Sequence, residues 1–259
     1  MTQSIYFVII PYVALVLAVV VGLYRYFTDR FSYSSISSQF LENRALFWGS
    51  VPWHYGILII LMMHVLEAAL PNFFAAFNRD PLRILVSEII GLALALLTLF
   101  GLATLLIRRM MNSRIRAVTS IMDWVLIFDL LLQISAGVYI ALFYRWGSLW
   151  YIYTASPWLR SLASLVPRFD FIAPLPLIVR FHAVNAFIVI GLFPFTRLVH
   201  IFTVPVSYLW RPYQVVIWNR RNLNKPDSTP VKKSQQGLLP VTVMQEEIRT
   251  TQGKGHKDQ

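Results

Sequence analysis

Residues 177–205 read LIVRFHAVNAFIVIGLFPFTRLVHIFTVP, a run in which Arg180 and Arg197 are the only formal charges. About 20 apolar helical residues cross the hydrocarbon core of a bilayer, so this run predicts a transmembrane helix. It also contains His182 and His200, 18 residues apart. At 3.6 residues per turn that is five whole turns, which in an unbroken helix places both imidazoles on one face, about 27 Å apart along the axis. Pro194 lies between them and is expected to kink the helix, since it has no N–H for the ladder. Ionisable side chains inside a membrane are costly and need partners.

The partners come from residues 51–70, VPWHYGILIILMMHVLEAAL, another apolar run with two histidines, His54 and His64. These are 10 residues apart, roughly 80° out of alignment and about 15 Å in rise, a mismatch that tilt and a kink at Pro194 can reconcile. Three further runs, Ile5–Tyr24, Ile84–Ile107 and Ile121–Phe143, are also long enough to span. The expected fold is all-α: an integral membrane protein with five transmembrane helices. Composition agrees. Of 259 residues, 57% are hydrophobic and 14% charged, where soluble domains carry about a quarter charged, and mean hydropathy is +0.58. Residues 1–217 form the expected membrane domain. Residues 218–259, rich in Lys, Gln, Thr, Ser, Gly and Pro, form a polar tail expected to be disordered or ordered by a partner.

The net charge of +11 would suggest nucleic acid in a soluble chain, but in a membrane protein excess base belongs to cytoplasmic loops, and no nucleic-acid partner is expected. The first 24 residues carry no Lys or Arg, unlike the positive start of a signal peptide, while Arg25 and Arg30 follow the first span. The expectation is therefore an N-terminus outside and a C-terminus in the cytoplasm of a multi-pass cell inner membrane protein. Sixteen Lys and Arg then fall on the inner side against five on the outer. Between the fourth and fifth spans, Trp146, Trp150, Tyr151, Tyr153 and Trp158 have the composition of an aromatic belt at headgroup level, with an amphipathic segment expected around Trp158–Val166.

Span direction pairs His54 with His200 in the inner half and His64 with His182 in the outer half. Two imidazoles from facing helices suit axial ligation of haem iron, and because the chain has no cysteine any haem held this way is b-type. The plainer alternative is that each histidine is a hydrogen-bonded packing residue. Zinc fits less well, since two His per level leave a tetrahedral shell incomplete.

At this point the residues resemble a known family, the gamma subunit of respiratory nitrate reductase, a dihaem cytochrome b. The resemblance is carried by Ser38-Gln39-Phe40-Leu41, by His54-Tyr55-Gly56-Ile57-Leu58 through His64, and by Arg114-Ile115-Arg116-Ala117. Most specific are Arg180-Phe181-His182 and the run from Phe193 through His200 to Ile201, followed by Val204-Pro205-Val206 and Tyr208-Leu209. The resemblance implies two b haems, an inner one on His54/His200 and an outer one on His64/His182. It implies quinol oxidation near the outer face, with electrons delivered to a cytoplasmic iron–sulfur subunit and a molybdenum catalytic subunit. Met63 departs from the family's usual Gly, and Glu67 from a position expected to be apolar or small.

Polar residues around the histidines have two readings each. Arg197 is a candidate partner for an inner haem propionate or an interfacial snorkelling side chain. Arg180 either serves the outer propionates or anchors the outer end of its helix. Glu67, one turn beyond His64, is a candidate proton acceptor for quinol, with Arg83 a cationic donor to a quinol oxygen; the bland alternative pairs Glu67 with Arg83 or Arg79. Asp123 is expected to pair with Arg116, and Asp129 has no evident partner. Small residues Gly91, Ala93, Ala95, Gly101 and Ala103 are expected to allow close helix contact. Rival functions are the dihaem anchor of another quinol-linked oxidoreductase, hydrogenase or heterodisulfide-reductase-like, and a non-haem proton-relay transporter, for which the chain shows no inverted repeat.

Overall fold

The computed structural model describes residues 2–29 and 44–203, so the polar tail, Arg30, and the segments Ser38–Leu41 and Val204–Leu209 lie outside the described residues. Among the described residues there is no strand, and five helices are long and apolar enough to cross a membrane. In chain order the helices are α1 (Ile5–Thr28), α2 (Arg44–Ala69), α3 (Pro71–Phe77), α4 (Pro81–Met111), α5 (Ser113–Ala117), α6 (Ile121–Phe143), α7 (Gly147–Tyr153), α8 (Ala155–Ala163) and α9 (Leu177–Leu192). The protein is a multi-pass membrane protein whose spans are α1, α2, α4, α6 and α9.

Local chemistry sets the boundaries. α4 begins three residues before Ile84, because Asp80 accepts hydrogen bonds from the N–H groups of Leu82 and Arg83 and Pro81 occupies the first turn, where its missing N–H costs nothing. α6 starts with a reciprocal cap: Ser120 Oγ accepts from Asp123 N–H and the Asp123 carboxylate accepts from Ser120 N–H.

Contacts run α2 on α4, α4 on α6, α6 on α9 and α9 on α1. The tightest approach is between α2 and α4. A side chain at Gly101 would lie 2.5 Å from the Trp53 backbone nitrogen, and one at Gly56 would overlap the Thr98 side chain. Backbones meet here because the facing residues are small, as in membrane helix pairs generally. Gly91, by contrast, faces open space, so only part of the small-residue expectation holds.

The fifth span departs from a five-turn helix. α9 ends at Leu192, a tight turn covers Phe193–Phe195, Thr196 is extended (φ −120°, ψ 178°), and a second tight turn follows over Arg197–Thr203. Pro194 cannot donate to the carbonyl four residues back and clashes with it, which ends the helix. His182 and His200 are therefore not on one face of one helix, and five whole helical turns do not separate them.

The aromatic segment also differs from a headgroup belt at one position. Trp158 is 1% exposed, packed edge to face on Phe7 and Phe187, and its Nε1–H donates to the Phe7 carbonyl at 3.0 Å. Pro11 explains the need, because it has no N–H to offer the carbonyl four residues before it. α8 is thus a plug between α1 and α9 rather than a surface helix, with Tyr12 Oη–H donating to Leu162 O at 3.0 Å.

Candidate functional site

All four histidines share one device. Nδ1 of His54 is 2.7 Å from Ser50 O, that of His64 is 2.8 Å from Ile60 O, that of His182 is 3.0 Å from Gln133 O, and that of His200 is 2.6 Å from Arg197 O. A carbonyl can only accept, so each Nδ1 carries a proton, and Nε2 is the ring nitrogen that can serve as a ligand. Metal-ligating histidines are typically fixed this way, the second nitrogen donating to a carbonyl. The donor set suits an axially ligated metal.

The His54 and His200 rings stand edge to face, centroids 5.9 Å apart, across α2 and the turn after α9. Ser50 Oγ is 3.1 Å from His54 Nδ1. Val199, fully buried, anchors the turn bearing His200, and Arg25 ties its start by donating to Pro194 O at 2.6 Å. Beside this pair, Asp123 is 4% exposed and meets Arg197 at 2.8 Å and Arg109 at 3.8 Å. Asp123 does not take Arg116. The reason is placement: the Ser120 cap points its carboxylate toward the turn after α9, where Arg197 also donates to Val118 O at 3.3 Å.

At the other end His64 stacks edge to face on Tyr151, centroids 5.4 Å apart, and Tyr151 Oη–H donates to His64 O at 3.0 Å. Glu67 accepts from Ser148 Oγ–H, and Ser148 Oγ in turn accepts from Asn78 Nδ2 at 2.7 Å. Neither Arg79 nor Arg83 is the partner of Glu67. Arg83 stays at the first turn of α4, 3.9 Å from Asp80 and 5.5 Å over the Phe77 ring, with its side chain 56% exposed. Gly147 N–H donates to Glu88 at 2.7 Å, so α7 is held to both α2 and α4. Burial, and then the charge of Glu67, push the Tyr151 phenol up from its ordinary value. Arg180 has a buried Nε with no hydrogen-bond partner among the described residues.

Asp129 and its surroundings complete the interior. Asn185 Nδ2 donates to Gln133 Oε1 at 3.1 Å and approaches Asp129 O at 3.5 Å, while Asp129 Oδ2 is buried without a hydrogen-bond partner among the described residues. Gln133 and Asn185 belong to the site and were legible only as polar residues inside spans. Ser50, Ser148 and Tyr151 carried no such signal. Among the described residues no three His, Asp or Glu side chains cluster as a metal site.

Five spans, with the His54 and His200 imidazoles brought together from two of them, define a multi-pass membrane protein with histidines in its interior. Residues 3–219 match the family model described as nitrate reductase gamma subunit, and the chain belongs to that family. It is 32% identical to the nitrate reductase gamma chain of Bacillus subtilis over 86% of this chain and 100% of that one. It is 30% identical to the respiratory nitrate reductase 2 gamma chain of Escherichia coli over 80% and 93%. It is also 31% identical to a nitrate reductase-like protein of Mycobacterium tuberculosis, over 82% of this chain but 33% of that longer protein. The chain is accordingly the membrane subunit of an oxidoreductase complex of the nitrate reductase kind.

Proposed function

We propose that this chain oxidises membrane quinol near the outer face and serves cytoplasmic iron–sulfur and molybdenum subunits of a respiratory nitrate reductase. In this reading the N-terminus is outside, residues 1–217 are the membrane domain in the cell inner membrane, and 218–259 are a cytoplasmic tail. The observation that carries it is the shared histidine device: four Nδ1–H groups spent on carbonyls, which makes Nε2 the ligating nitrogen of each ring. His54 with His200 would hold an inner b haem and His64 with His182 an outer one, in keeping with a generally haem-binding family. When bound, two b haems supply a one-electron path from the quinol side to the partner subunits.

The chain's own residues divide the remaining work. Glu67, oriented by Ser148, accepts a quinol proton, and Arg83 donates to a quinol oxygen at the rim. Arg197, whose direction Asp123 fixes, would offer its guanidinium to a propionate at the inner level, and Arg180 would do so at the outer level. Tyr151 of α7 packs its ring on His64, which itself stays exposed, and holds the backbone there.

A reduced-minus-oxidised absorption spectrum with a pyridine haemochrome assay tests this. Two b haems per chain are expected; a protein purified from haem-replete membranes with none would overturn the reading.

A further inference from the structure

Three of the four histidines find their Nδ1 acceptor on their own segment, three or four residues back: Ser50 for His54, Ile60 for His64, Arg197 for His200. His182 does not. Its acceptor is Gln133 O, 49 residues away on α6. Gly137 stands one turn further along α6, and a Cβ there would come 3.1 Å from His182 Cε1, tighter than side chains normally tolerate. The imidazole therefore lies on a single turn of α6, gripped at Nδ1 by one residue and given room by the missing side chain of the next. The Gln133 amide lies beside the same ring: its Oε1 accepts from Asn185 Nδ2 at 3.1 Å, and its Nε2 stands 3.4 Å from His182 Nε2, a place it gives up when that nitrogen ligates iron. Asn185 is 4% exposed and one turn beyond His182 on α9, so the string is closed between the two helices.

We propose that α6, which bears none of the four histidines, sets the orientation of the His182 ring, with Gln133, Gly137 and Asn185 as positioning residues for that one ligand. This rests on the two-haem reading above. An imidazole held by its own helix turns only with that helix, whereas one held by a neighbour turns with the packing of both. Ligand basicity and ring orientation are levers by which a protein tunes haem iron, so changes in this seat act on the outer haem alone.

The test uses membranes carrying the full chain, with haem content, redox titration and low-temperature EPR read together. Two haems in the unmodified protein establish the parent reading; their absence would sink that reading rather than this one. Gly137→Ala replaces glycine by a better helix former, so helix α6 itself is not weakened. The expected result is a displaced low-field EPR feature for one haem and a shift of its reduction equilibrium by up to about tenfold, about 59 mV for one electron. The other haem keeps both values. Gln133→Leu, similar in size without the amide, should move the same haem's signals, and His64→Ala should abolish the signals that moved. Gly91→Ala, facing open space, should move neither haem. Loss of only the His64/His182 haem in Gly137→Ala also supports the seat. Two haems with unchanged spectra and potentials in both α6 variants, or equal changes at both haems, would overturn it.

Discussion

The His54 end and the His64 end of the bundle are held by different forces. Around His54 and His200 the supports are ionic and buried: Asp123, 4% exposed, between Arg197 and Arg109, with Arg25 pinning the broken helix at Pro194. Around His64 they are hydrogen bonds from a separate segment: Ser148 to Glu67, Asn78 to Ser148, Tyr151 to a backbone carbonyl. Removing one partner of a buried ion pair costs about 3–5 kcal/mol, while a hydrogen bond nets about 0.5–1.5 kcal/mol, or about 1.5–3 kcal/mol to a charged group. One end is built to stay shut, and the other can be parted at small cost. Under the proposed function the first end would be the docking face for fixed partners and the second the end that admits a small apolar molecule.

The sharpest way to break the comparison is to remove ligands one end at a time. His54→Ala or His200→Ala should halve the haemochrome yield and leave the outer haem's spectrum; His64→Ala or His182→Ala should do the reverse. Four variants that all keep two haems would end the pairing. Next in size is stability. Asp123→Ala should lower unfolding free energy by about 3–5 kcal/mol, whereas Ser148→Ala should cost roughly 1–3 kcal/mol through the unsatisfied Glu67. Equal losses, measured by denaturation in one detergent, would erase the difference between the ends.

The kinetic arm follows. Glu67→Gln and Arg83→Ala should slow quinol-dependent haem reduction by roughly one to two orders of magnitude, with dithionite-reduced haem content unchanged. The unmodified rate should rise with pH as a carboxylate becomes available, and Glu67→Gln should flatten that rise. Variants matching the unmodified rate would remove both residues from the quinol site. Smallest is Tyr151→Phe, about 0.5–1.5 kcal/mol for one hydrogen bond. Its sign with pH is fixed: burial, then Glu67, raise the folded phenol above its unfolded value. The stabilisation is thus complete below the ordinary tyrosine value near pH 10 and lost as pH rises toward the folded one. Tyr151→Phe should abolish that alkaline limb in a stability–pH curve.

Five spans were legible because the cores of soluble domains rarely contain unbroken apolar runs of bilayer length, and the pairing of His54 with His200 followed from direction alone. What was not legible depends on contacts that sequence separation hides. Pro194 marked a kink, but how completely it would release His200 from α9 depends on Val199 and Arg25 finding their places. Asp123 paired with a guanidinium 74 positions away rather than a near neighbour because its cap aimed it there. Trp158 had a belt composition and a core position, since a prolyl gap in another helix claimed its N–H. His182 took its acceptor from α6, which no periodicity in its own span could indicate.

That prolyl gap has a consequence in time. A chain entering the membrane from its N-terminus delivers α1 long before residue 158 exists, and in lipid no water can satisfy the Phe7 carbonyl. The first helix to arrive therefore cannot finish packing until α8 has been made and has folded back beside it. Assembly closes from the late part of the chain onto the early part, with Trp158 as the latch. A Trp158→Phe chain should still insert five spans, yet remain sensitive to protease near its N-terminus for longer after synthesis than the unmodified chain.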